Sequence, residues 1–233
     1  MHAKTVLITG GNKGIGLSAT EKFINAGFDV IVVARDFDNF NLSSHKVHTV
    51  KFDLADVTKI PDLIASLPPV DILINNAGVM YALPYDNYPQ ENIDKIMKIN
   101  IESPVALIRE VSRNMVANRF GRIVNNASIA GEIGHPDVWY GITKAGMINM
   151  TKSFAKILGP SGVVVNAVAA GPVETEMLNV IPEQRKNDIK KTVYTGRFAM
   201  PGEVANTIYW LATDCPEYIN GTTVDINNGA FPR

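Results

Sequence analysis

The sequence predicts an α/β fold: one domain built on a doubly wound parallel sheet of about seven strands, with helices on both faces. The first observation is the order of patterns along the chain. Short runs rich in β-branched residues alternate with longer segments of helical periodicity, which is typical of strand–helix–strand units. The second observation is that most runs are apolar throughout, as expected for strands buried on both faces.

Each predicted element follows from this pattern. No Pro/Ser-rich linker divides the chain, so residues 1–233 are predicted to form a single domain. Residues 37–46 are too short and too polar for a full crossover helix. Residues 173–200 show a weaker pattern, which fits either a substrate lid or a solvated pair of helices. The predicted strands are residues 5–9, 30–34, 48–52, 71–75, 121–126, 162–168 and 222–226, and the predicted helices are residues 15–26, 60–67, 92–118, 139–158 and 203–212.

Composition excludes several classes of protein. The 233 residues are 46% hydrophobic and 19% charged, which is ordinary for a globular protein and excludes wholesale disorder. The net charge of −1, without a basic cluster, argues against nucleic acid or an anionic membrane surface as the main partner. The N-terminus shows no signal-peptide pattern, and no run reaches the ~20 apolar residues that a membrane span requires.

Cysteine and histidine usage indicates a reducing compartment and no metal centre. The single cysteine, Cys215, can form neither an internal disulfide nor a cysteine-based zinc cage. We therefore expect a cytoplasmic protein. The four histidines are scattered without metal-ligand spacing, so no metal site is expected.

A glycine-rich turn follows the first predicted strand and opens the first predicted helix. Glycines at such a turn let the backbone approach a pyrophosphate, and the helix N-terminus offers free N–H groups to it. This context is that of a Rossmann-type dinucleotide-binding unit. A Walker A loop is excluded, because no Gly-Lys-Ser/Thr follows. The residues expected to bind the dinucleotide here are Gly10, Asn12, Lys13, Gly14, Ile15 and Gly16.

The end of the second predicted strand bears on the choice of cofactor. A carboxylate there would bind the ribose 2′-OH of NAD, whereas an arginine can pair with a 2′-phosphate. Arg35 and Asp36 both follow Ala34. Because Arg35 is the first residue able to turn over the adenosine, and Lys13 could reach the same phosphate, we predict a preference for NADP(H), with NAD(H) still compatible. Alternatively, Arg35 forms a surface ion pair with a neighbouring acid.

Three further features resemble a catalytic site. Asn76 and Gly78 close the fourth predicted strand, Ser128 follows the fifth, and Tyr140 and Lys144 are four residues apart on one helix face. An ammonium near a phenol lowers the phenol's pKa from ~10 toward neutrality. Tyr140 is therefore a candidate proton donor to, or acceptor from, a carbonyl or alcohol oxygen. By itself, Tyr-x-x-x-Lys is more often a helix surface.

Together these motifs resemble the short-chain dehydrogenase/reductase family, in its compact one-domain branch. The resemblance is collinear from residue 5 to residue 229. It is carried by Thr9-Gly10-x3-Gly14-x-Gly16, Asp53-Leu54, Asn75-Asn76-Ala77-Gly78, Asn100, Ser128, Tyr140-x3-Lys144 and Gly171-Pro172-Val173-x-Thr175.

This resemblance implies a role for each matching residue. Tyr140 is the general acid/base. Lys144 lowers the pKa of Tyr140 and holds the nicotinamide ribose, Ser128 binds the substrate oxygen, and Asn100 supports a water relay toward Lys144. The resemblance places the remaining matches at the cofactor, with Asp53 at the adenine and the last two of the following at the nicotinamide carboxamide: Asp53, Leu54, Asn76, Ala77, Gly78, Gly171, Val173 and Thr175.

The resemblance also narrows the reaction. The glycine turn and Ala34-Arg35-Asp36 are similar to carbonyl reductases, whereas the middle and C-terminal parts are similar to 3-oxoacyl-acyl-carrier-protein reductases. The implied function is an NADP(H)-dependent oxidoreductase that interconverts a carbonyl and an alcohol, with a 3-oxoacyl thioester or a ketone as small-molecule substrate. Two alternatives stay open: an NAD-dependent dehydrogenase of a secondary alcohol such as a sugar or steroid, and a non-catalytic dinucleotide sensor.

The partners implied by the resemblance are a homotetramer and an acyl-carrier protein. The carrier protein is put in doubt by one departure, because Pro160-Ser161 stand where a second docking arginine is often found. Two other departures are Ala170, where proline is usual, and Asn227-Asn228-Gly229, where Asp-Gly-Gly is usual. None of these departures affects the predicted reductase chemistry.

Overall fold

A computed structural model describes residues 4–232. Seven parallel strands form one sheet in the order β3-β2-β1-β4-β5-β6-β7, which confirms the predicted α/β fold. The strands are β1 (Thr5–Thr9), β2 (Asp29–Ala34), β3 (Val47–Lys51), β4 (Ile72–Asn75), β5 (Gly121–Asn126), β6 (Val163–Ala170) and β7 (Thr223–Ile226), and the helices are α1 (Gly14–Asn25), α2 (Ile60–Ala65), α3 (Gln90–Met97), α4 (Ser103–Ala117), α5 (Val138–Leu158), α6 (Glu183–Thr192) and α7 (Pro201–Ala212).

The core consists of two apolar layers, one on each face of the sheet. Successive side chains of a strand point to opposite faces, so the continuous apolar run of β1 contributes to both layers. Leu7 packs in the layer that includes residues of α2, α4 and α5. Val6 and Ile8 pack in the layer that includes residues of α1 and α7. All three side chains are fully buried, as the apolar run predicts.

The two edge strands depart from this pattern. No residue of β3 or β7 is fully buried along the strand, because each lies at an end of the sheet and pairs with one neighbour. Residues 37–46, which connect β2 to β3, contain no helix, as predicted. Among the described residues, no helix combines the length and the apolar character needed to cross a membrane.

The predicted helix 92–118 is divided into three parts. A π-helical turn, Lys98–Glu102, separates α3 from α4. Pro104 follows this turn closely and has no N–H to donate, so the regular i→i−4 hydrogen bonds are interrupted here. The backbone stays helical through this turn, which is why the sequence predicts one helix. The insertion places Asn100 in a fully buried position.

The weakly patterned segment contains both a short 3₁₀ turn, Glu176–Val180, and the helix α6. Its two ends are held together by a parallel bridge between Val173 and Ala199. Two backbone hydrogen bonds support that bridge, Glu174 N to Ala199 O (2.8 Å) and Ala199 N to Pro172 O (3.0 Å). The segment is therefore an excursion anchored at its base, beyond the carboxyl end of β6.

The strand order reverses between β1 and β4, and ligands of such sheets bind in the crevice at this point. The side chain of Thr9, at the carboxyl end of β1, accepts hydrogen bonds from the backbone N–H groups of Asn76 and Ala77, both at 3.0 Å. The Asn76 side chain donates in return to the carbonyl oxygens of Thr9 (3.0 Å) and Gly10 (3.1 Å). These bonds fix the two sides of the crevice.

Candidate active site

One cavity of ≈ 530 Å³ lies along the carboxyl edge of the sheet. It is lined by every residue that the sequence places in the site, except Gly16 and Asn100. Gly16 is buried in the first turn of α1, and Asn100 is fully buried. The predicted residues that line the cavity are Gly10, Asn12, Lys13, Gly14, Ile15, Arg35, Asp53, Leu54, Asn76, Ala77, Gly78, Ser128, Tyr140, Lys144, Gly171, Val173 and Thr175.

The glycine turn forms the phosphate end of the cavity. Gly10 has a φ of 63°, which a residue with a side chain adopts only with strain. A Cβ on Gly16 would collide with the carbonyl oxygen of Gly10. The Lys13 side chain makes no capping bond to α1, so the first amides of this helix remain available to an anion. The turn can therefore hold a pyrophosphate, as a dinucleotide requires.

The adenosine end lies beyond β2. Arg35 is exposed and lines the cavity, as does Asp53 on the segment after β3. The Asn12 side chain donates to the carbonyl oxygen of Asp36 at 3.0 Å, which fastens the glycine turn to this end. The guanidinium of Arg35 can therefore meet a 2′-phosphate, and no ion pair of Arg35 forms among residues 4–232.

The position of the Lys13 side chain differs from the expectation that Lys13 and Arg35 both reach this 2′-phosphate. Its Nζ lies 2.6 Å from Oε2 of Glu176, which belongs to the excursion after β6. Both side chains are more than half exposed. The ammonium of Lys13 is thus engaged by a carboxylate across the cavity, because the excursion folds back over the glycine turn. Arg35 alone is left as a free cation at the adenosine end of the described cavity.

The reactive end combines residues from β5, the turn after it, and α5. Tyr140 and Lys144 are both buried, and the Lys144 Nζ lies 5.6 Å from the centre of the Tyr140 ring. Lys144 donates to the carbonyl oxygen of Asn126 at 2.7 Å. The Ser128 hydroxyl accepts from Ala130 N (3.1 Å) and donates weakly to the carbonyl oxygen of Ala170 (3.4 Å).

The pKa values at this end follow from burial. Burial raises the pKa of Tyr140 to about 12, while interaction with the Ser128 hydroxyl lowers it and the charge of Asp137 raises it further. Burial lowers the pKa of Lys144 to about 8. The prediction that Lys144 brings the phenol toward neutrality therefore differs from the structure. Desolvation of the phenolate is the largest effect on the pKa of Tyr140, which is therefore protonated at neutral pH.

Two polar groups at this end have unused hydrogen-bonding capacity. The Oδ1 atom of Asn126 is buried without a partner among the described residues. Lys144 has three N–H donors, and one of them is used by Asn126. Such groups are costly to bury unless a ligand satisfies them. Ribose hydroxyls, which both donate and accept hydrogen bonds, fit this pair.

Asn100 lies behind the cavity wall. Its Oδ1 accepts from Val79 N (2.9 Å), and its Nδ2 donates to Val79 O (3.0 Å) and to the Thr143 hydroxyl (3.1 Å). A Cβ on Gly78 would lie 3.5 Å from Asn100 Oδ1 and 3.7 Å from Lys144 Nζ. Asn100 and Lys144 therefore face the same small space beside Gly78. The Asn100 side chain itself joins the Val79 segment to α5.

Asp137 is a site residue that the sequence reasoning missed. It caps α5, and its Oδ1 accepts the backbone N–H of Tyr140 at 3.0 Å. Its Oδ2 accepts from Ala82 N (2.8 Å), Tyr81 N (3.2 Å) and the Tyr88 hydroxyl (3.3 Å). The carboxylate is 1% exposed. An aspartate three residues before a helical tyrosine is an N-cap signal, so the sequence contained the means to find it.

Arg185 was also missed. It lies on α6 and lines the same cavity as Ser128 and Tyr140. The sequence offered no signal for it, because α6 is polar throughout except for one isoleucine. His135 also lines the cavity, with its ring 5.3 Å from that of Tyr140.

Comparisons with known proteins agree with this arrangement. A family model described as enoyl-(acyl carrier protein) reductase matches residues 10–230. A 3-oxoacyl-acyl-carrier-protein reductase of Aquifex aeolicus (strain VF5) is 34% identical over 244 residues, which cover 99% of this chain and 98% of that protein. The same enzyme of Rickettsia felis is 34% identical, with 98% of this chain and 97% of that protein covered.

Solved structures of similar chains have the same fold. ElxO with NADP bound is 26% identical and has a TM-score of 0.90, with 100% of both chains covered. A 4-hydroxyisoleucine dehydrogenase complexed with NADH is 26% identical and has a TM-score of 0.92, with 98% of both chains covered. The family model and the relatives cover nearly the whole chain, and the motifs of the glycine turn, Ser128, Tyr140 and Lys144 meet in one cavity. The chain belongs to the short-chain dehydrogenase/reductase family.

Proposed function

We propose that this chain is an NADP(H)-dependent oxidoreductase that interconverts a carbonyl and an alcohol. The observation that carries the proposal is the convergence of Ser128, Tyr140 and Lys144 at one end of the cavity whose other end is the glycine turn. A tyrosine that shares a water-shielded pocket with a serine hydroxyl and an ammonium is equipped for proton transfer to oxygen.

Each residue of the candidate site has a separate role in the proposed reaction. When bound, the nicotinamide supplies or accepts the hydride. Tyr140, protonated at neutral pH because burial raises its pKa to about 12, gives its proton to the carbonyl oxygen. Ser128 donates a hydrogen bond to that oxygen and so holds the carbonyl carbon in place. Lys144 binds ribose hydroxyls and stabilises the phenolate that remains on Tyr140, and Asn100 supports the proton relay beside Gly78.

The cofactor proposal rests on Arg35. An exposed guanidinium at the end of β2 suits a 2′-phosphate, which it can bind with two parallel hydrogen bonds. The presence of NADP in ElxO supports this choice. NAD(H) remains compatible, since the 4-hydroxyisoleucine dehydrogenase is a structure with NADH. The proposed cofactor contacts are those predicted from the sequence, from the glycine turn to Val173 and Thr175.

The proposed substrate is a 3-oxoacyl thioester or a ketone. The names of the Aquifex and Rickettsia relatives support the thioester, and an acyl-carrier protein is then the natural bearer of it. Residues 173–200 form the proposed substrate lid. Its support is the anchored base at Val173 and Ala199, together with the four lid residues Met177, Leu178, Ile181 and Ile189 that give the cavity an apolar wall.

A homotetramer in the cytoplasm completes the proposal. Apolar side chains are exposed on α4 and α5, namely Val105, Val116, Ile142 and Ile157, and pairing of such helices between copies would bury them. The single, buried Cys215 suits a reducing compartment. Sedimentation equilibrium tests the assembly: a monomer at micromolar concentration would reject it, and Ile157→Glu should dissociate a tetramer.

The reaction is tested by the loss of NADPH absorbance with acetoacetyl-CoA. We expect turnover by the wild type and a loss of at least ~100-fold in kcat for Tyr140→Phe, in keeping with the usual worth of a general acid. Fluorescence titration should show that this variant still binds NADPH within about threefold, because the phenol's oxygen is the only atom removed. Crotonyl-CoA serves as the control for enoyl reduction and should not be turned over.

The outcomes separate the alternatives. Turnover of a secondary alcohol with NAD, but none of any carbonyl with NADPH, would favour the NAD-dependent dehydrogenase. Tight binding of NADPH without turnover of thioester, ketone or aldehyde would favour the dinucleotide sensor. Turnover that persists in Tyr140→Phe would remove Tyr140 from the role of proton donor.

A further inference from the structure

The substrate half of the cavity has an uneven distribution of charge. The acidic side chains that line the cavity are Asp36, Asp53 and Glu176. The first two lie at the adenosine end, after β2 and β3, and Glu176 is held by Lys13 at the glycine turn. At the opposite end, around Tyr140, the charged lining residues are Arg185 and Lys144, and the ammonium of Lys144 donates to the carbonyl oxygen of Asn126. The end that receives the substrate therefore carries positive charge with no lining carboxylate to balance it.

The position of Arg185 on α6 is not that of a surface residue. Three residues of this otherwise polar helix line the cavity: Arg185, Ile189 and Thr192. Their spacing of four and three residues places them on one helix face, which is the face turned toward the cavity. Asp188, three residues after Arg185, is exposed and pairs with Lys191, whereas Arg185 itself is partly buried. A guanidinium on this face is placed to bind an anion that enters the cavity.

Within the described part of the chain, Arg185 lacks an ion-pair partner. The ion pairs formed among residues 4–232 do not include it, although α6 forms two others, Lys186 with Glu183 and Lys191 with Asp188. Its charge acts instead on His135, whose pKa is lowered mainly by burial and further by Arg185. His135 also lines the cavity, and its ring centre lies 5.3 Å from that of Tyr140.

We propose that Arg185 is an anion-binding residue of the substrate pocket and that the carbonyl substrate bears a negatively charged group, which Arg185 binds while the carbonyl lies at Ser128 and Tyr140. This inference rests on the proposed function. Arginine suits the task, because its planar guanidinium forms two parallel hydrogen bonds to a carboxylate or a phosphate. The favoured ligand is a carboxylate on a small oxo acid, since the lid closes the pocket with apolar residues close to Arg185.

The test compares substrates that differ only in this charge. Acetoacetate and levulinate are paired with their methyl esters, and acetoacetyl-CoA with the phosphate-free N-acetylcysteamine thioester. Hydrogen bonds to a charged group are worth about 1.5–3 kcal/mol, or roughly 10- to 150-fold. In Arg185→Gln we expect the ratio of kcat/KM between acid and ester to fall at least ~10-fold. Lys191→Gln is the matched control, because it removes the same charge from an exposed position of the same helix.

Each outcome decides the proposal. A fall confined to the acid/ester ratio supports a carboxylate, whereas a fall confined to the two thioesters assigns the anion to the phosphate of the thioester. An unchanged ratio in both series overturns the anion site while leaving the reductase intact. Weaker NADPH binding in Arg185→Gln, with unchanged ratios, would assign the guanidinium to the dinucleotide and also overturn it.

A binding measurement covers the case in which the wild type reduces none of these compounds, so that the proposed function itself fails. Calorimetric titration of levulinate into the protein with NADP present then tests Arg185 directly. Binding that is lost in Arg185→Gln and kept in Lys191→Gln supports the anion site. Absence of binding to the wild type, or equal binding by both variants, overturns it.

Discussion

The carboxylate of Asp137 caps the helix of the candidate proton donor, with its Oδ1 3.0 Å from the backbone nitrogen of Tyr140. The other oxygen of the same carboxylate binds two successive backbone N–H groups, those of Tyr81 and Ala82. Ala82 has a φ of 55°, which is strained for a residue with a side chain. One buried carboxylate thus fixes the start of α5 and holds the segment that follows β4 against it.

Replacement of Asp137 should displace Tyr140 without removing any group that touches a substrate. We expect Asp137→Ala to lower the melting temperature and to lower kcat for carbonyl reduction about 10- to 100-fold, because loss of an N-cap alone costs ~0.5–2 kcal/mol and three further donors lose their acceptor. Asp137→Asn keeps one acceptor for the cap, so its melting temperature and its kcat should lie between those of the wild type and those of Asp137→Ala.

Steady-state kinetics and thermal unfolding check this series, with Tyr88→Phe as the control. That variant removes only the 3.3 Å hydrogen bond to Asp137 and should keep kcat within about twofold. A role for Asp137 in folding alone would appear as a lower melting temperature with an unchanged kcat per folded molecule.

Arg35 should decide between the two nicotinamide cofactors. We expect Arg35→Ala to weaken NADPH binding at least ~10-fold and NADH binding by less than about twofold, because a bidentate pair to a phosphate is worth roughly 1.5–3 kcal/mol. Fluorescence titration measures both constants. Lys51→Ala is the control, since Lys51 is exposed at the end of β3 and does not line the cavity. Equal losses for both cofactors would contradict the assignment.

Gly16 should tolerate no side chain. A methyl group there would collide with the Gly10 carbonyl oxygen, so Gly16→Ala should displace the glycine turn and weaken dinucleotide binding at least ~10-fold. Gly202→Ala is the matched control, because Gly202 also lies in the first turn of a helix and a Cβ there meets nothing within 4 Å. It should leave binding unchanged and stabilise the protein by up to ~1 kcal/mol. Similar dinucleotide binding by the two variants would show that the glycine turn accommodates a methyl group at position 16.

The buried ammonium of Lys144 should make stability depend on pH. Its pKa is about 8 in the folded protein against 10.5 as its ordinary value. Between these values the unfolded chain binds more protons, so the free energy of unfolding rises with pH across this window. Below about pH 8 the cost of burying the charge is fully present, and it amounts to about 3 kcal/mol.

Lys144→Met removes this titration while keeping the length of the side chain. Urea unfolding at about pH 7 and pH 9.5 should therefore show that the free energy of unfolding rises with pH in the wild type and rises less in the variant. At the lower pH the variant should be more stable than the wild type. Ligand-free protein is required, because a bound dinucleotide would interact with Lys144. An identical rise in both proteins would show that Lys144 is not the group responsible.

Much of the fold was accessible from the sequence because parallel strands and glycine turns have local signatures. The bounds of β1 and β5 agree with the predicted runs to the residue, since both strands are central and apolar on both faces. The helix predicted for residues 92–118 was wrong in the middle. The chain stays helical through the π turn, which differs from the helices around it in its hydrogen-bond pattern. The buried amide of Asn100 bonds to Val79, which is distant in sequence.

The candidate site could be predicted from the sequence to a similar degree. Motifs placed the glycine turn, Ser128, Tyr140 and Lys144, and the structure brings them to one cavity. The partner of Lys13 was not accessible, because Glu176 is 163 residues away and meets it only when the excursion folds back. The ionisation of Tyr140 was not accessible either, since the desolvation that raises its pKa is a property of the packed site.

The sequence by itself determined which segments form the strands, where the dinucleotide turn lies and which residue is the candidate proton donor. These depend on residue type and short spacing, which the chain carries before it folds. The tertiary structure decided which charged groups meet. Asp137 binds the backbone of Tyr81 and Ala82, and Glu176 pairs with Lys13. Arg185 lines the substrate end of the cavity without an ion-pair partner among the described residues. Electrostatic energies depend on distance and burial in three dimensions, and neither can be read from positions along a chain.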